Sequence, residues 1–161
     1  MIDPDVRAAD GADVEALSEL EVEARAALVD ARGGRRWLEE HPLIGGTWAQ
    51  AVVERTVFVA VLPAEPVPLP VGFLVLDVDG AVAHVDQVYV TPGARELGFG
   101  DALLEAAVEA ARRAGANVLE GHALPGDRDT KNLYERAGIT ARLITVSTRL
   151  NGPSTGVGAS R

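Results

Sequence analysis

The sequence contains no cysteine, and this absence excludes three kinds of feature at once. Disulfide bonds, thiolate metal sites and cysteine nucleophiles all need a thiol, so none of them can form within this chain. Histidine is also scarce, and its positions are too far apart to have the spacing of metal ligands. The three histidines, His41, His84 and His122, therefore predict no metal site.

Long apolar runs are missing as well. A membrane-spanning helix needs roughly 18–20 consecutive apolar residues, whereas apolar stretches such as Val57–Leu62 end early. The N-terminal residues are acidic and do not resemble the start of an apolar signal segment. We therefore predict a cytoplasmic protein without a membrane partner.

Basic residues are fewer than acidic ones: 15 Lys and Arg, with Lys131 as the single lysine, stand against 24 Asp and Glu, and the net charge is −9. The arginine pairs Arg35-Arg36 and Arg112-Arg113 are too short to form the basic stripe of a nucleic-acid-binding protein. We therefore expect no nucleic-acid partner. The acidic field would favour cationic partners such as amines, although it can equally serve only to keep the protein soluble.

Hydrophobic periodicity predicts one domain of the mixed α/β (α+β) class over residues 1–150, followed by a flexible Gly/Ser-rich tail over 151–161. Asp79-Gly80 is a hairpin signal between two strands, and the prolines between 63 and 70 argue against a central strand there. The sheet should be largely antiparallel. We expect strands over 6–8, 56–62, 71–77, 82–90, 117–123 and 139–150, helices over 12–29, 35–41, 98–114 and from 127 or 129 to 137, and a loop over 43–50.

The strongest chemical signal joins a strand to the clearest helix, and it reads Arg95-Glu96-Leu97-Gly98-Phe99-Gly100. A helix start leaves its first four N–H groups unpaired, and these donors and the helix dipole attract phosphate. Gly98 and Gly100 lack Cβ atoms, so a phosphate can approach the backbone, and Arg95 can add a charged contact. The same glycines would also suit a tight turn that only starts a helix.

Two other phosphate-binding motifs fit this segment less well. A Walker loop would continue with Gly-Lys-Ser/Thr, which is absent. A dinucleotide fingerprint would have a third glycine where Leu103 stands, although Glu120 lies where its ribose-binding acid is expected. Too few strand–helix units follow to build a doubly wound sheet.

The stretch Val88–Leu104 resembles the cofactor motif of the GNAT superfamily of N-acetyltransferases. That motif has Val-x-Pro, here Val90-Thr91-Pro92, then Arg/Gln-x-x-Gly-x-Gly/Ala, here Arg95–Gly100, and then an apolar helix. The run Leu133-Tyr134-Glu135-Arg136-Ala137-Gly138-Ile139 resembles the family's second signature, and Val6–Leu17 resembles its opening strand and helix. The resemblance covers about residues 5–150.

This resemblance implies a single-domain GNAT-like fold with helices on both faces of the sheet. It also implies an enzyme that moves an acetyl group from acetyl-CoA to a primary amine by direct attack in a ternary complex. The strand backbone would pair with pantetheine beside a split between two central strands, and the loop amides would hold the pyrophosphate. The implied cofactor-binding residues are Val88, Tyr89, Val90, Arg95, Glu96, Leu97, Gly98, Phe99, Gly100, Asp101 and Asp127.

The chain departs from the family pattern at two places. The family usually has glycine and then a basic residue where Glu96-Leu97 stand, so we expect affinity to come from backbone amides and Arg95. Asp127 stands where the family often has asparagine; it can cap a helix but has no amide donor.

The implied catalytic residues are Tyr134, His122 and Asp86. Tyr134 would protonate the departing sulfur, or it would only pack on the inner face of its helix. His122 could serve as the base because histidine titrates near neutrality. Asp86 and Glu120 are its rivals, and the reaction can also proceed without a dedicated base.

The amine pocket is expected in residues 12–50, where Trp37, His41 and Trp48 are candidates for its wall. A non-catalytic acyl-CoA-binding module on the same fold is the second functional hypothesis, and a dinucleotide-dependent enzyme is the third. The segment 139–150 is short for the family's final strand pair, so we expect a homodimer in which a second subunit completes the sheet.

Overall fold

A five-stranded sheet forms the centre of the molecule, in a computed structural model that describes residues 3–151. Its strands are β1 (Asp5–Ala8), β2 (Thr56–Leu62), β3 (Leu69–Asp79), β4 (Val82–Val90) and β5 (Val118–Gly121). They have the same order in space as in sequence; β1 to β4 pair antiparallel, and β5 joins β4 in parallel. The predicted fold class, a mixed and mostly antiparallel sheet, is therefore confirmed.

Helices cover both faces of this sheet, as predicted. They are α1 (Val14–Leu28), α2 (Gly34–Glu40), α3 (Trp48–Glu54), α4 (Phe99–Arg113) and α5 (Arg128–Arg136), with short 3-10 turns at Gly11–Asp13, Gly45–Thr47 and Pro92–Leu97. Within residues 3–151, no helix is both long enough and apolar enough to cross a membrane. The cytoplasmic location stays a prediction. The predicted tail lies, from residue 152 onwards, outside the described residues.

The sheet buries apolar side chains on both faces, which explains why β2 reads as a continuous apolar run. On one face, Leu103 and Leu104 of α4 pack against Leu74 of β3. On the other face, Leu17 of α1 packs with Phe73 of β3. Each face therefore has its own hydrophobic core, and burial of apolar area is the main force that holds the helices in place.

Glu21 of α1 is fully buried and links three parts of the fold. Its carboxylate accepts hydrogen bonds from the backbone N–H groups of Ile44 and Gly45, at 3.0 and 2.9 Å. It also accepts from Trp48 Nε1 at 3.2 Å and from Gln87 Nε2 of β4 at 2.8 Å. A buried charge is tolerated only when it is well hydrogen-bonded, so these four donors fix α1 against α3 and β4.

β4 carries one extra residue, Asp86. Val85 and Gln87 lie opposite consecutive residues of β3, so Asp86 between them has no partner on that strand. A bulge of this kind bends and twists its strand. β5 pairs with β4 only over Val82–Val85, so the two strands part at the bulge.

The bulge also shifts the alternation of side chains along β4. Gln87 points towards Glu21 on the α1 side, whereas Val88 and Val90 pack on the α4 side. Val85, before the bulge, also packs on the α4 side. Strict alternation from Val85 would have placed Val88 and Val90 on the other face.

The structure corrects four of the predicted elements. The loop expected over 43–50 contains the start of α3, whose Trp48 is drawn into the core. β3 begins at Leu69 and includes Pro70, which is tolerated because β4 does not flank the strand until Gly72. β5 is shorter than predicted. The predicted strand over 139–150 is wrong for the described chain, because its backbone pairs with no strand there and its apolar residues are exposed: Leu143, Ile144, Val146 and Leu150.

Candidate active site

A cleft opens where β4 and β5 part. Beyond Val85, the backbone of Gln87–Val90 has a neighbouring strand only on the β3 side. The cavity at this opening has a volume of about 850 Å³. It runs from the 3-10 turn and the start of α4, past Val88–Val90 and α5, to α2. The open edge of β4 therefore offers peptide groups without a strand partner to a ligand in the cavity, although the Val90 carbonyl accepts from Arg95 Nε.

The start of α4 lies at one end of this cavity. Gly98 precedes the helix with a left-handed φ of +86°, which favours glycine. Ala102 donates the first helical hydrogen bond to the Gly98 carbonyl, at 3.1 Å, and no side chain caps the helix. The N–H groups of Phe99, Gly100 and Asp101 therefore precede the first intrahelical bond and remain available for an anion.

Gly100 has a packing role in addition to the one expected from the sequence. A Cβ atom at this position would lie 2.9 Å from Leu133 Cδ1 of α5. α5 can therefore approach α4 closely, and this contact narrows the cleft. Phe99 is fully buried, so only its backbone can reach a ligand.

The polar side chains around the loop already have partners in the protein. Arg95 donates from Nε to the Val90 carbonyl at 3.0 Å and from Nη1 to Asp129 at 2.7 Å. Its guanidinium also lies 5.6 Å from the centre of the Tyr89 ring. Asp101 pairs with Arg136 at 3.2 Å, and Glu96 is exposed beside them.

Asp127 caps α5, as its sequence context predicts. Its carboxylate accepts from the Thr130 N–H at 3.2 Å and from the Thr130 hydroxyl at 2.7 Å. Both carboxylate oxygens are thus engaged with the helix start, although the residue also lines the cavity.

Tyr134 of α5 is buried and lies against β5. A Cβ atom at Gly121 would be 2.2 Å from the Tyr134 hydroxyl oxygen, so the ring can take this position only because residue 121 is glycine. Burial raises the pKa of the Tyr134 phenol, and the charge of Asp127 raises it further. The phenol is therefore protonated at neutral pH and can donate a proton into the cavity that it lines.

The three histidines, which are distant in sequence, come together at the other end of the cavity. His84 and His122 have ring centres 4.6 Å apart, and Trp37 lies 3.5 Å from His41 and 5.3 Å from His122. The rings stack or tilt against each other, and among residues 3–151 no three potential ligands are grouped as a metal site would need.

The surroundings of His122 favour its neutral form. Partial burial lowers the pKa of His122 below its ordinary value, and His84 and His41 lower it further. The charges of Glu120 and Asp86 oppose this shift without reversing it. A neutral imidazole beside the cavity can accept a proton at neutral pH.

Asp86 also lines the cavity, but its carboxylate is part of an ion-paired cluster. Arg55 donates to Asp86 at 2.9 Å and also pairs with Asp77 of β3. No local sequence pattern indicates this cluster, because Arg55 is 31 residues from Asp86. Glu120, its rival, is exposed on β5 opposite His84.

Gly121 was also not predicted to be part of the site. A glycine inside a predicted strand marks a position where another group approaches the backbone closely, and this signal was present. Trp48, by contrast, is fully buried in the α1–α3 core, so of the two tryptophans only Trp37 lines the cavity.

Comparison with known proteins gives one family match. The sequence model described as "Acetyltransferase (GNAT) family" matches residues 17–139. None of the curated proteins is significantly similar in sequence to the chain.

Several solved structures share the fold. A mutant of the BH1408 protein from Bacillus halodurans is 18% identical, with a TM-score of 0.74 over 91% of this chain and 99% of its own. Aminoglycoside N-acetyltransferase AAC(6')-Iy in complex with CoA is 17% identical, with a TM-score of 0.61 over 92% and 97% of the two chains. An acetyltransferase from Trypanosoma brucei is 21% identical, with a TM-score of 0.58 over 92% and 100%.

The contact between Gly121 and Tyr134 makes a testable prediction about stability. Gly121→Ala should lower the free energy of unfolding by about 1–3 kcal/mol, because the added methyl group overlaps the tyrosine ring and displaces it. Urea unfolding measures the change. Gly11→Ala, where a Cβ atom meets nothing within 4 Å, is the matched control. In a Tyr134→Ala background the Gly121 substitution should cost much less; an equal cost in both backgrounds would contradict the contact.

Proposed function

This chain belongs to the acetyltransferase (GNAT) family, and on that basis we propose that it is an acetyl-CoA-dependent N-acetyltransferase. It transfers an acetyl group from acetyl-CoA to a primary amine by direct attack in a ternary complex. One observation carries the proposal: the uncapped start of α4 and the open edge of β4 line the same cavity. Together they offer donors for a pyrophosphate and a strand edge for an extended amide-containing arm.

The residues of the cavity fit the chemistry of coenzyme A. The N–H groups at the start of α4 would hold the pyrophosphate, and the peptide groups of Val88–Val90 would pair with the pantetheine amides. Arg95 borders both places, and it could add a phosphate contact if it released Asp129. Solved relatives that contain CoA or a CoA conjugate support this assignment.

The transfer itself requires that one bond forms and one breaks. Acetyl-CoA supplies the activated thioester carbonyl; the amine nitrogen bonds to its carbon, and the carbon–sulfur bond breaks. An alkylammonium and acetyl-CoA give an amide, CoA thiol and one released proton. The chain must therefore accept protons from the amine nitrogen and return one to the sulfur.

Tyr134 is the proposed donor to the sulfur. Its raised pKa keeps the phenol protonated at neutral pH, and its hydroxyl lies beside β5, next to the opening of the cleft. The position of Tyr134 in the cavity is therefore compatible with general acid catalysis by its phenol.

His122 is the proposed base. It lines the same cavity, and partial burial, His84 and His41 lower its pKa, which favours the neutral form that can accept a proton. Asp86 is less suited to this role, because its carboxylate is ion-paired with Arg55. In this proposal Asp86 shapes the bulge and leaves proton acceptance to His122.

A homodimer is a further part of the proposal. The segment 139–150 has the alternating pattern of a strand but no strand partner in the described chain, and the outer edge of β5 pairs with no described strand. We propose that the segment pairs with the outer edge of β5 in a second copy of this chain and so completes that copy's sheet. Four apolar side chains with exposed fractions of 77–90% would then be covered by the second copy: Leu143, Ile144, Val146 and Leu150.

Size-exclusion chromatography with light scattering tests the dimer. The full chain should elute with about twice the 16.9 kDa monomer mass, and Val146→Lys should lower the dimer fraction because a lysine in a paired apolar face is unfavourable. Lys131→Ala, a change at an exposed position on α5, serves as the control. The proposal would be contradicted if the chain elutes as a monomer both at high concentration and after 100-fold dilution.

Acetyl-CoA binding and thiol release test the enzyme together. Asp101→Pro removes the N–H group of the third residue of α4, which has no intrahelical acceptor; Asp101→Ala keeps it. Both variants lose the ion pair with Arg136, so they differ chiefly in that donor. Asp101→Pro should weaken acetyl-CoA binding by about tenfold or more relative to Asp101→Ala, as expected for a hydrogen bond to a charged group.

Calorimetry measures the two affinities, and a thiol-release assay with grouped amines measures turnover of the wild type. Equal affinities of the two variants would show that this N–H group does not bind phosphate. Acetyl-CoA binding without thiol release for any amine would indicate the non-catalytic acyl-CoA-binding module instead.

The pH dependence of kcat/KM tests His122. The wild-type rate should fall on the acid side only below the ordinary histidine pKa of about 6.5, because the lowered pKa keeps the base neutral to lower pH. His122→Ala should lose this limb and about 100-fold in rate, within the range of general base catalysis. His84→Asn should move the limb to higher pH, because it removes a neighbour that lowers the pKa of His122. An unchanged acid limb in His122→Ala would contradict the assignment.

A further inference from the structure

The cavity continues past Tyr134 towards α2, and the walls of this end determine which amine it accepts. We call this end the acceptor chamber and define it by Arg25, Leu28, Trp37, His41, Asp86 and His122. An amine that attacks a thioester held along Val88–Val90 would enter from here, because the cofactor occupies the rest of the cavity. The chamber therefore belongs to the site of the proposed function and decides its specificity.

Aromatic rings form one wall of the acceptor chamber. Trp37 stacks on His41 with an angle of 18° between the rings, and His122 is tilted by 49° against Trp37. Trp37 and His41 are only half-buried, so part of each ring still faces the cavity. The facing turns of α1 contribute the small or apolar side chains of Ala24, Ala27 and Leu28. The opening between these walls suits a flat or apolar group.

Negative charge in the acceptor chamber is compensated. Asp86 is the one carboxylate among its described lining residues, and Arg55 donates to it at 2.9 Å. Arg55 also pairs with Asp77, so its single positive charge does not fully neutralise Asp86. Asp86 can therefore still attract one ammonium group. His122 adds no negative charge to the chamber in either of its protonation states.

Arg25 places a positive charge beside the aromatic wall. Arg25 of α1 donates from its guanidinium to the carbonyl of His41 at 2.7 Å and to that of Leu38 at 3.0 Å. These bonds fix the end of α2 and keep the arginine in place beside the cavity. A second or third ammonium group of a ligand would meet this charge without a free carboxylate to balance it, and it would also lose its hydration.

From these walls we infer the substrate class: the acceptor is a primary monoamine carried on a flat or apolar body, and polycationic amines are poor substrates. The inference rests on the proposed N-acetyltransferase function. The net charge of −9 attracts every cationic amine to the protein, so it does not discriminate between them. Discrimination comes from the chamber, which pairs at most one ammonium group and covers an apolar body with rings.

A comparison of acceptors tests the inference on the wild-type chain. The probes are 2-phenylethylamine, n-butylamine, spermidine and an aminoglycoside, each assayed for thiol release from acetyl-CoA at the same ionic strength. The value of kcat/KM for 2-phenylethylamine should exceed that for spermidine by about tenfold or more, the discrimination that apolar pockets provide. A value for spermidine or the aminoglycoside equal to or above that for 2-phenylethylamine would overturn the inference.

Substitution of Trp37 tests the aromatic wall itself. Trp37→Ala should lower kcat/KM for 2-phenylethylamine by about tenfold but change the value for n-butylamine by much less, with KM for acetyl-CoA unchanged. Trp37→Phe should restore most of the loss because it returns a flat ring. Leu43→Ala, at a half-exposed residue outside the cavity lining, is the matched control. An equal loss for both amines would contradict a role in acceptor recognition.

The outcomes separate this inference from the function on which it rests. If no amine in the panel causes thiol release, the proposed enzyme activity itself fails. If thiol is released with spermidine and the aminoglycoside but not with 2-phenylethylamine, the activity stands and the inferred substrate class is wrong.

Discussion

The separation of β4 from β5 is the constraint on which the rest of the site depends. Two parallel strands that stayed paired would satisfy each other's peptide groups and leave no cleft. The extra residue Asp86 bends β4 at the end of the paired region, and Arg55 holds its carboxylate to that of Asp77 on β3. The open edge, the cavity and its acceptor end all follow from this one irregularity.

Helices on the two sides of the sheet then divide the chemistry between them. On one side, α4 supplies free N–H groups and α5 supplies Tyr134, and both fit closely because Gly100 and Gly121 have no side chain. On the other side, the buried Glu21 ties α1 and α3 to Gln87 of β4, beside the acceptor end. The α4 side and the α1 side of the cleft are thus supported by separate cores.

The parts of the site that could be predicted are those whose physics is local. The start of α4 was predicted because a glycine before an apolar periodic run is a signal within a few residues, and Asp127 was predicted to cap α5 for the same reason. α3 was missed because it is short, and Trp48 is placed in it by burial more than by periodicity. Arg55 and the ring contacts of Trp37 could not be predicted, since the partners are distant in sequence.

The sequence by itself determined the class of fold and the start of α4 with its unpaired N–H groups, because periodicity and helix ends depend on neighbouring residues. It also determined the β-type alternation of 139–150, but alternation alone does not form a strand, because the hydrogen-bond partners must come from another strand. Only the tertiary structure decided that Asp86 is ion-paired, that the surroundings of His122 lower its pKa and that Tyr134 lies over Gly121. These properties depend on charge, burial and close contact between residues that the chain brings together only when it folds.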